Sequence, residues 1–377
     1  MKYIQQISKV LLPLLFLVVI FLPFVNNLFK VWEFERTDEN RTFRDTLTAD
    51  IQRLDKFPKD AEEYLNDNFS FRTPLLKVYQ NIKYEYFNIS PYPNKTIAGE
   101  DGWFFKAGDE IEIYEGHMGF SEGQLDQLEK KWISRNKYFD SLNIKSYWVI
   151  APIKHNIYSE KLPFNLTSNG TRRVEQITQR FKDKLPNLII DPYNYFVEQK
   201  TNGQLYYKLD NHWNFKAGFL ATELTLAKLK NDFKNTTFDD LKPVWKDTLI
   251  RSGYHRAVMG IDKLEEIEKI PFFSNNQAKK AQKYGFPPLK GFPYPSVYEQ
   301  RFIKESAKSG LRILVIRDSF GKNMIAFVNE LFNESVYIFD AWKYGTNKSI
   351  VESFNPDVVL YIGLETHINN MLNSQED

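Results

Sequence analysis

From about residue 96 onward, short apolar runs alternate with amphipathic stretches of helical length, and this alternation restricts the fold more than any other feature of the chain. Lys145–Ala151 (KSYWVIA), Asn187–Asp191 (NLIID), Arg312–Ile316 (RILVI), Val336–Phe339 and Val358–Ile362 read as strands. Glu122–Leu142, Arg172–Leu185, Phe215–Lys230 and about Lys322–Phe332 read as helices, with another between the last two strands. Asn214 is a suitable N-cap for the helix from Phe215. Strands that are apolar along their whole length have both faces buried, so the pattern predicts an α/β fold with a mostly parallel sheet between two helical layers. Residues 231–300 break the rhythm, being rich in Lys, Pro and aromatics with little periodicity. A compact domain rarely holds so long an irregular loop, which makes this an insertion near the site with some β structure. Its Trp245, Lys246, Arg251, Tyr254, His255 and Arg256 are candidates for contact with a polymer; a purely structural insertion is the other reading.

The N-terminus carries a second constraint. Val10 to Val25 (VLLPLLFLVVIFLPFV) has no charged or strongly polar side chain, and Leu28 and Phe29 extend it to about the length of a membrane span. Lys2 and Lys9 precede the run, which favours a cytoplasmic N-terminus. No small-x-small cleavage site follows, so an uncleaved anchor is expected rather than a removed signal peptide. The resulting organisation is a cytoplasmic segment at 1–9, an anchor at 10–29 and a helical stalk at 30–95. Residues 96–377 form the main α/β domain, with its insertion at about 231–300. Within the stalk, Asp60–Asn66 and Arg72–Phe87 look helical, and Ser90-Pro91-Tyr92-Pro93-Asn94 is a break. Everything beyond about residue 30 would face outward, at the cytoplasmic membrane and on its periplasmic side.

Composition excludes several chemistries. A net charge of +2 gives no basic field of the kind nucleic acid needs. With 0 Cys there is no thiol nucleophile, Cys-based zinc site or disulfide. No Walker loop or dinucleotide fingerprint is present, so neither cofactor nor metal is expected. The 31 Phe, 21 Tyr and 7 Trp first suggest an aromatic core, and second a surface able to stack on sugars.

Two short segments carry chemistry. Arg317-Asp318-Ser319-Phe320-Gly321 follows the strand RILVI and precedes a predicted helix. A Ser at the carboxyl end of a strand and the N-terminus of a helix lies where ligands bind α/β sheets and where backbone N–H groups stabilise an oxyanion. An Asp/Ser turn that merely caps the helix has the same sequence. Asp210-Asn211-His212-Trp213-Asn214 precedes the helix from Phe215. In extended backbone, residues i and i+2 point to one side, so Asp210 is able to orient His212 as a base for a Ser hydroxyl. A capped helix start and an Asp-x-His metal half-site remain as alternatives, although the other His stand singly at 117, 155, 255 and 367.

The Asp-x-His-Trp segment, followed about a hundred residues later by strand-Asp-Ser-Phe, resembles the alginate O-acetyltransferase family (AlgJ/AlgX-type, SGNH-hydrolase-like, related to the DHHW proteins). Gly99-Glu100-Asp101-Gly102-Trp103-Phe104-Phe105 resembles its early Gly-x-Asp-Gly-Trp-Leu-Phe, Val149 to Lys154 with Ile157-Tyr158 its Pro-x-Lys…Ile-Tyr strand end, and Pro356 to Glu365 its C-terminal strand. Together and in order, these cover residues 39 to 370. The resemblance implies an SGNH-hydrolase-like, flavodoxin-like three-layer fold with Ser319 as nucleophile, His212 as base and Asp210 as its partner. It implies acetyl transfer to a polysaccharide acceptor, with the acetyl group handed over by a membrane-bound O-acyltransferase partner. Arg317 stands where many SGNH proteins have Gly, either to touch substrate or to pair with a nearby acid. The separate Gly and Asn blocks of the SGNH pattern are not identifiable, so the Ser319 N–H is the first oxyanion donor and Asn323 or Lys154 a candidate second. Trp213 is a further candidate for substrate contact. The chain ends soon after its last strand, without room for a C-terminal carbohydrate-binding module. A carbohydrate esterase with the same triad and a non-catalytic envelope scaffold are the competing functions.

Overall fold

Apolar side chains alternate along each central strand and so supply both faces of one sheet. The computed structural model describes residues 2–35, 42–48, 54–273, 277–281, 285–288 and 292–374, with side chains from Val10 onward. Met1 and the side chains of Lys2 and Lys9 lie outside the described residues. The chain divides into two units, residues 1–93 with 256–264, and residues 94–255 with 265–377.

In the first unit, helices span Lys2–Phe29, Phe57–Asp67 and Arg72–Phe87. The apolar side chains of the first helix from Val10 to Phe29 are almost all exposed. Asp67 accepts the Arg44 N–H at 2.8 Å, and Arg44 pairs with Asp60 at 3.0 Å. The segment 256–264 is tied in by Lys77–Asp262 at 2.7 Å and Lys263–Glu85 at 2.5 Å.

In the second unit the strands are β1 Thr96–Ala98, β2 Phe104–Lys106, β3 Lys145–Ala151, β4 Ile189–Ile190, β5 Val244–Ile250, β6 Glu266–Phe272, β7 Lys279–Lys280, β8 Glu299–Ile303, β9 Arg312–Arg317, β10 Glu334–Phe339 and β11 Val358–Leu364. The main sheet has the order β4-β3-β11-β9-β10-β8-β7. Neighbours from β4 to β10 run parallel, whereas β8 and β7 add antiparallel pairs at one edge. The edge strand β7 and the separate antiparallel pair β5–β6 come from the stretch that lacked periodicity, and β8 begins at its end. Tyr147, Val149, Ile313, Val315, Leu360 and Ile362 face one core with the helix Phe215–Asp232. Trp148, Ile150, Leu314, Ile316, Val359 and Tyr361 face the other, with Trp132 and Phe139 of the helix Glu122–Ser141. Burying each such side chain contributes about 1.5–3 kcal/mol. The sheet between two helical layers is the predicted architecture.

Some elements are shorter than their sequence pattern suggests. The helix expected to Leu185 ends at Phe181, and the strand after it keeps two residues. In place of a helix at Lys322–Phe332 there is a 3₁₀ turn, Phe320–Met324, and one α-turn, Ile325–Val328. The Phe320 carbonyl in this turn accepts the Trp213 indole N–H at 2.7 Å, tying the turn sideways to the Asp210–Asn214 segment.

Connections leave β3 and β9 in opposite directions, with β11 between them. The crevice at the carboxyl ends of such strands is where open α/β sheets bind ligands, and Ser319 lies two residues beyond β9.

Candidate active site

The Asp210–Asn214 segment is held as one arm of a small hairpin. Tyr206 and Trp213 form an antiparallel bridge, Tyr207 N–H donates to His212 O at 3.1 Å, and Asn214 N–H to Leu205 O at 2.8 Å. The chain bends at Lys208–His212, where the His212 N–H donates to Asp210 Oδ1 at 3.0 Å, and this bend, in place of the expected extended backbone, sorts the side chains. Asn211 turns inward and donates to the fully buried Glu110 at 2.7 Å, while Asp210 and His212 face the cleft. Burial pushes the Glu110 carboxyl up to about 7, with Lys106 and the Asn211 hydrogen bond pulling the other way.

Asp210 Oδ1 lies 2.5 Å from His212 Nδ1, and His212 Nε2 lies 2.7 Å from Ser319 Oγ. With the Nδ1 proton donated to Asp210, Nε2 is left to accept the Ser319 hydroxyl. The second Asp210 oxygen takes the Tyr254 N–H at 2.7 Å. Burial alone would raise the Asp210 carboxyl, but the His212 hydrogen bond and charge and the Tyr254 and His212 N–H groups hold it well below the carboxylate range. Leu209 O accepts the His255 N–H at 3.0 Å. Gly253 permits this approach: its φ is +131°, and a Cβ there would stand 2.4 Å from Leu209 O.

Ser319 is set on its turn by Asp318, whose buried carboxylate accepts Phe320 N–H at 2.8 Å, Leu364 N–H at 2.7 Å and His367 Nδ1 at 2.8 Å. The Ser319 N–H makes no hydrogen bond among the described residues, which leaves it available to a developing oxyanion. A cleft of about 390 Å³ opens over Ser319 and His212, bounded by Tyr207, Glu266, Glu268 and Lys322.

The other expected site residues divide. Asn323 lines the cleft, but its amide nitrogen donates to Trp213 O at 2.6 Å and approaches the Tyr207 hydroxyl at 3.5 Å, so it is not a free oxyanion donor in this state. Trp213 is fully buried and joins the two chemical segments through its indole N–H, which corrects the expectation of substrate contact. Lys154 is fully buried beneath the site, donating to the carbonyls of Phe104 at 2.5 Å, Lys208 at 3.1 Å and Asp210 at 3.1 Å. Burial pulls it down to about 7, with Glu266, Asp210 and Glu110 opposing. It therefore positions the Asp210 backbone and does not face an oxyanion. Arg317 donates to Asp318 O and Gln300 Oε1, each at 2.9 Å, and its stem packs where a Cβ on Gly321 would stand, 2.7 Å away. A buried bracing role replaces both earlier readings of Arg317, substrate contact and an ion pair. Of the insertion's polymer-contact candidates, His255 is buried against Thr96 at 3.0 Å and Trp245 packs edge-on to Phe219.

Sequence reasoning gave no signal for Tyr207, Gly253, Glu266 and Glu268, because their contribution depends on where the insertion folds. Glu266 accepts the N–H groups of Lys208 at 2.7 Å and Leu209 at 3.0 Å and so fixes the approach to Asp210.

The helix Phe215–Asp232 meets the Ser319 turn at Gly218, where a Cβ would stand 2.1 Å from Asn323 O. Gly218→Ala is expected to cost about 1–3 kcal/mol through overpacking and to lower Ser319 reactivity by tenfold or more as His212 and Ser319 separate. Thermal unfolding and the rate of Ser319 acylation measure the two effects. Gly123→Ala, with nothing within 4 Å of its Cβ, is the neutral comparison.

Residues 96–278 match a family model described as SGNH hydrolase-like domain, acetyltransferase AlgX. That stretch includes Asp210 and His212 and stops before Ser319. Among solved structures, Bacillus cereus PatB1 is 16% identical, covering 73% of this chain and 98% of its own, with a TM-score of 0.47. A DHHW family protein from Eubacterium siraeum is 13% identical over 75% of this chain and 99% of its own, at 0.46. The O-acetyltransferase domain of Pseudomonas putida AlgJ is 12% identical over 75% and 94%, at 0.45. No curated protein sequence matches the chain. Residues 96–278 are thus similar to the SGNH hydrolase-like acetyltransferase domain described for AlgX.

Proposed function

We propose that this protein is an extracytoplasmic O-acetyltransferase that moves an acetyl group through Ser319 onto a hydroxyl of a cell-surface polysaccharide. The observation that carries this reading is the unbroken hydrogen-bonded line Asp210–His212–Ser319 in an open cleft. His212 Nε2 takes the Ser319 proton as Oγ bonds to the acyl carbon of an acetyl ester. The ester's C–O bond breaks, and the leaving alkoxide takes that proton from His212. In the second half an acceptor hydroxyl gives its proton to His212 and bonds to the acyl carbon. The Oγ–carbon bond then breaks, and Ser319 recovers a proton from His212. Asp210 stabilises the imidazolium in both halves. The Ser319 N–H supports the charge that develops on the acyl oxygen.

The exposed apolar helix Val10–Phe29 supports an anchor in the cytoplasmic membrane, with the domain on the periplasmic side. A membrane-bound acyl donor, in practice an O-acyltransferase partner, fits that placement. The test is to incubate the full chain in detergent with an acetyl ester and varied oligosaccharides. Acetylated oligosaccharide, together with an acetyl group on Ser319, is expected. Free acetate alone, across all acceptors, would assign the site to hydrolysis instead.

A further inference from the structure

The charge of the cleft bears on which sugar it accepts. Among the described residues, its charged lining is three carboxylates, Asp210, Glu266 and Glu268, against one ammonium, Lys322, with no arginine. Two of the three carboxylates are already committed: Asp210 to His212 and Tyr254, and Glu266 to Gln204 and the N–H groups of Lys208 and Leu209. Glu268, on β6, differs. Its Oε1 accepts the Tyr207 hydroxyl, and no hydrogen bond among the described residues reaches Oε2. Asn323 approaches the same Tyr207 hydroxyl at 3.5 Å, so Glu268 is braced from the nucleophile's own turn.

A carboxylate oxygen that takes part in no ion pair among the described residues, beside a tyrosine hydroxyl, suits a neutral hydroxyl as hydrogen-bond donor. It does not suit a uronic acid. A polyuronate carries a carboxylate on each ring, and its recognition calls for the paired donors of arginine or for several lysines. Burial pushes the Glu268 carboxyl up to about 7, with Lys322 pulling the other way. A further anion in the cleft would therefore meet like charge, or enter only together with a proton.

We infer that the acceptor is an uncharged glycan, held by a sugar hydroxyl donating to Glu268, and that Glu268 rejects the polyuronate acceptor which the sequence resemblance implies. This rests on the acyl-transfer reading of the cleft. It makes Glu268 a specificity-determining residue supplied by the insertion. The rejection follows from like charge in a half-enclosed site, where screening by solvent is weak, and it is strongest above about pH 7, where Glu268 is ionised.

The experiment measures calorimetric binding of two probe sets to the full chain in detergent, in Ser319→Ala form so that no turnover intervenes. One set is neutral, with cellohexaose, xylohexaose and N-acetylglucosamine oligomers; the other is oligomannuronate and oligogalacturonate of matched length. At least one neutral probe is expected to bind about tenfold or more tightly than the uronates. Adding Glu268→Gln, which keeps an acceptor for Tyr207 and removes the charge, is expected to narrow that ratio several-fold. The ratio compares two ligands on one protein, so a uniform loss of folded material does not move it. Equal or tighter binding of uronates, an unchanged ratio in Glu268→Gln, or binding of neither set overturns the inference. Acetylation of Ser319 in the Ser319-containing protein is read separately by mass. Its absence would strike the acyl-transfer reading and not the charge preference.

Discussion

Ser319→Ala is expected to lower acetyl transfer by about 10⁴-fold or more and to abolish the acyl-enzyme altogether, with the fold intact. The Ser319 side chain caps nothing, since the 3₁₀ turn after it has no side-chain cap, and its hydroxyl bonds to His212. Removal therefore takes away chemistry and little structure. His212→Ala should cost a similar factor, because an unassisted serine hydroxyl is a poor nucleophile at neutral pH. The double variant should be no worse than either single one, since the two act as a unit. Transfer rates, intact-protein mass after exposure to an acetyl ester, and thermal unfolding of each variant provide the check. A folded Ser319→Ala protein that transfers at the normal rate would end the proposed mechanism.

Asp318→Asn should lower stability by about 1–3 kcal/mol, by leaving buried donors without their acceptor. The Asp318 carboxylate is wholly buried and accepts three hydrogen bonds, one of them from His367. An amide there would turn an NH₂ toward at least one existing donor and leave His367 without its acid. The same residue predicts a pH dependence. Burial works to raise the Asp318 carboxyl, but the hydrogen bond and charge of His367 and the Leu364 N–H outweigh it, and the net shift is downward. The unfolded chain therefore takes up this proton at a higher pH than the folded one. The stabilisation is fully present above the ordinary carboxylate value of about 4 and is lost as pH falls from there through the folded value. Denaturant midpoints at neutral pH and between about pH 4 and 2 should show wild type losing an increment that Asp318→Asn never had. Equal midpoints at neutral pH would contradict this. Because Asp318 sets the turn that presents Ser319, the variant should also acylate more slowly.

The contrast between Ser319 and Asp318 shows how far the residues can be read without coordinates. Both stand in one pentapeptide, and sequence alone singled out the candidate nucleophile while passing over its neighbour. A serine after an apolar strand has a recognisable chemical meaning. A buried carboxylate acquires its meaning from donors 46 and 49 residues away, at Leu364 and His367. Lys154 is a similar case. It was a candidate oxyanion donor, yet it holds the carbonyls of Phe104, Lys208 and Asp210 from beneath. A lysine's type and position along the chain do not say which way its long stem turns. Arg317 and Trp213 were misplaced for the same reason, being residues able to contact a substrate that instead brace the turn from behind.

By itself, the sequence determined the features that depend on local periodicity: the apolar strand Lys145–Ala151, the last strand from Val358 to Ile362, which the structure extends to Leu364, and the helix from Phe215 with its Asn214 cap. Backbone geometry repeats over two or four residues, so a short window contains the information. Only the tertiary structure decided the rest. It brought Ser319 to His212 across 107 residues, and it placed Gly253, Tyr254, Glu266 and Glu268 of the aperiodic insertion around the same cleft. Those placements follow from burial of distant surfaces and from hydrogen bonds between segments, for which no periodic pattern exists along the chain.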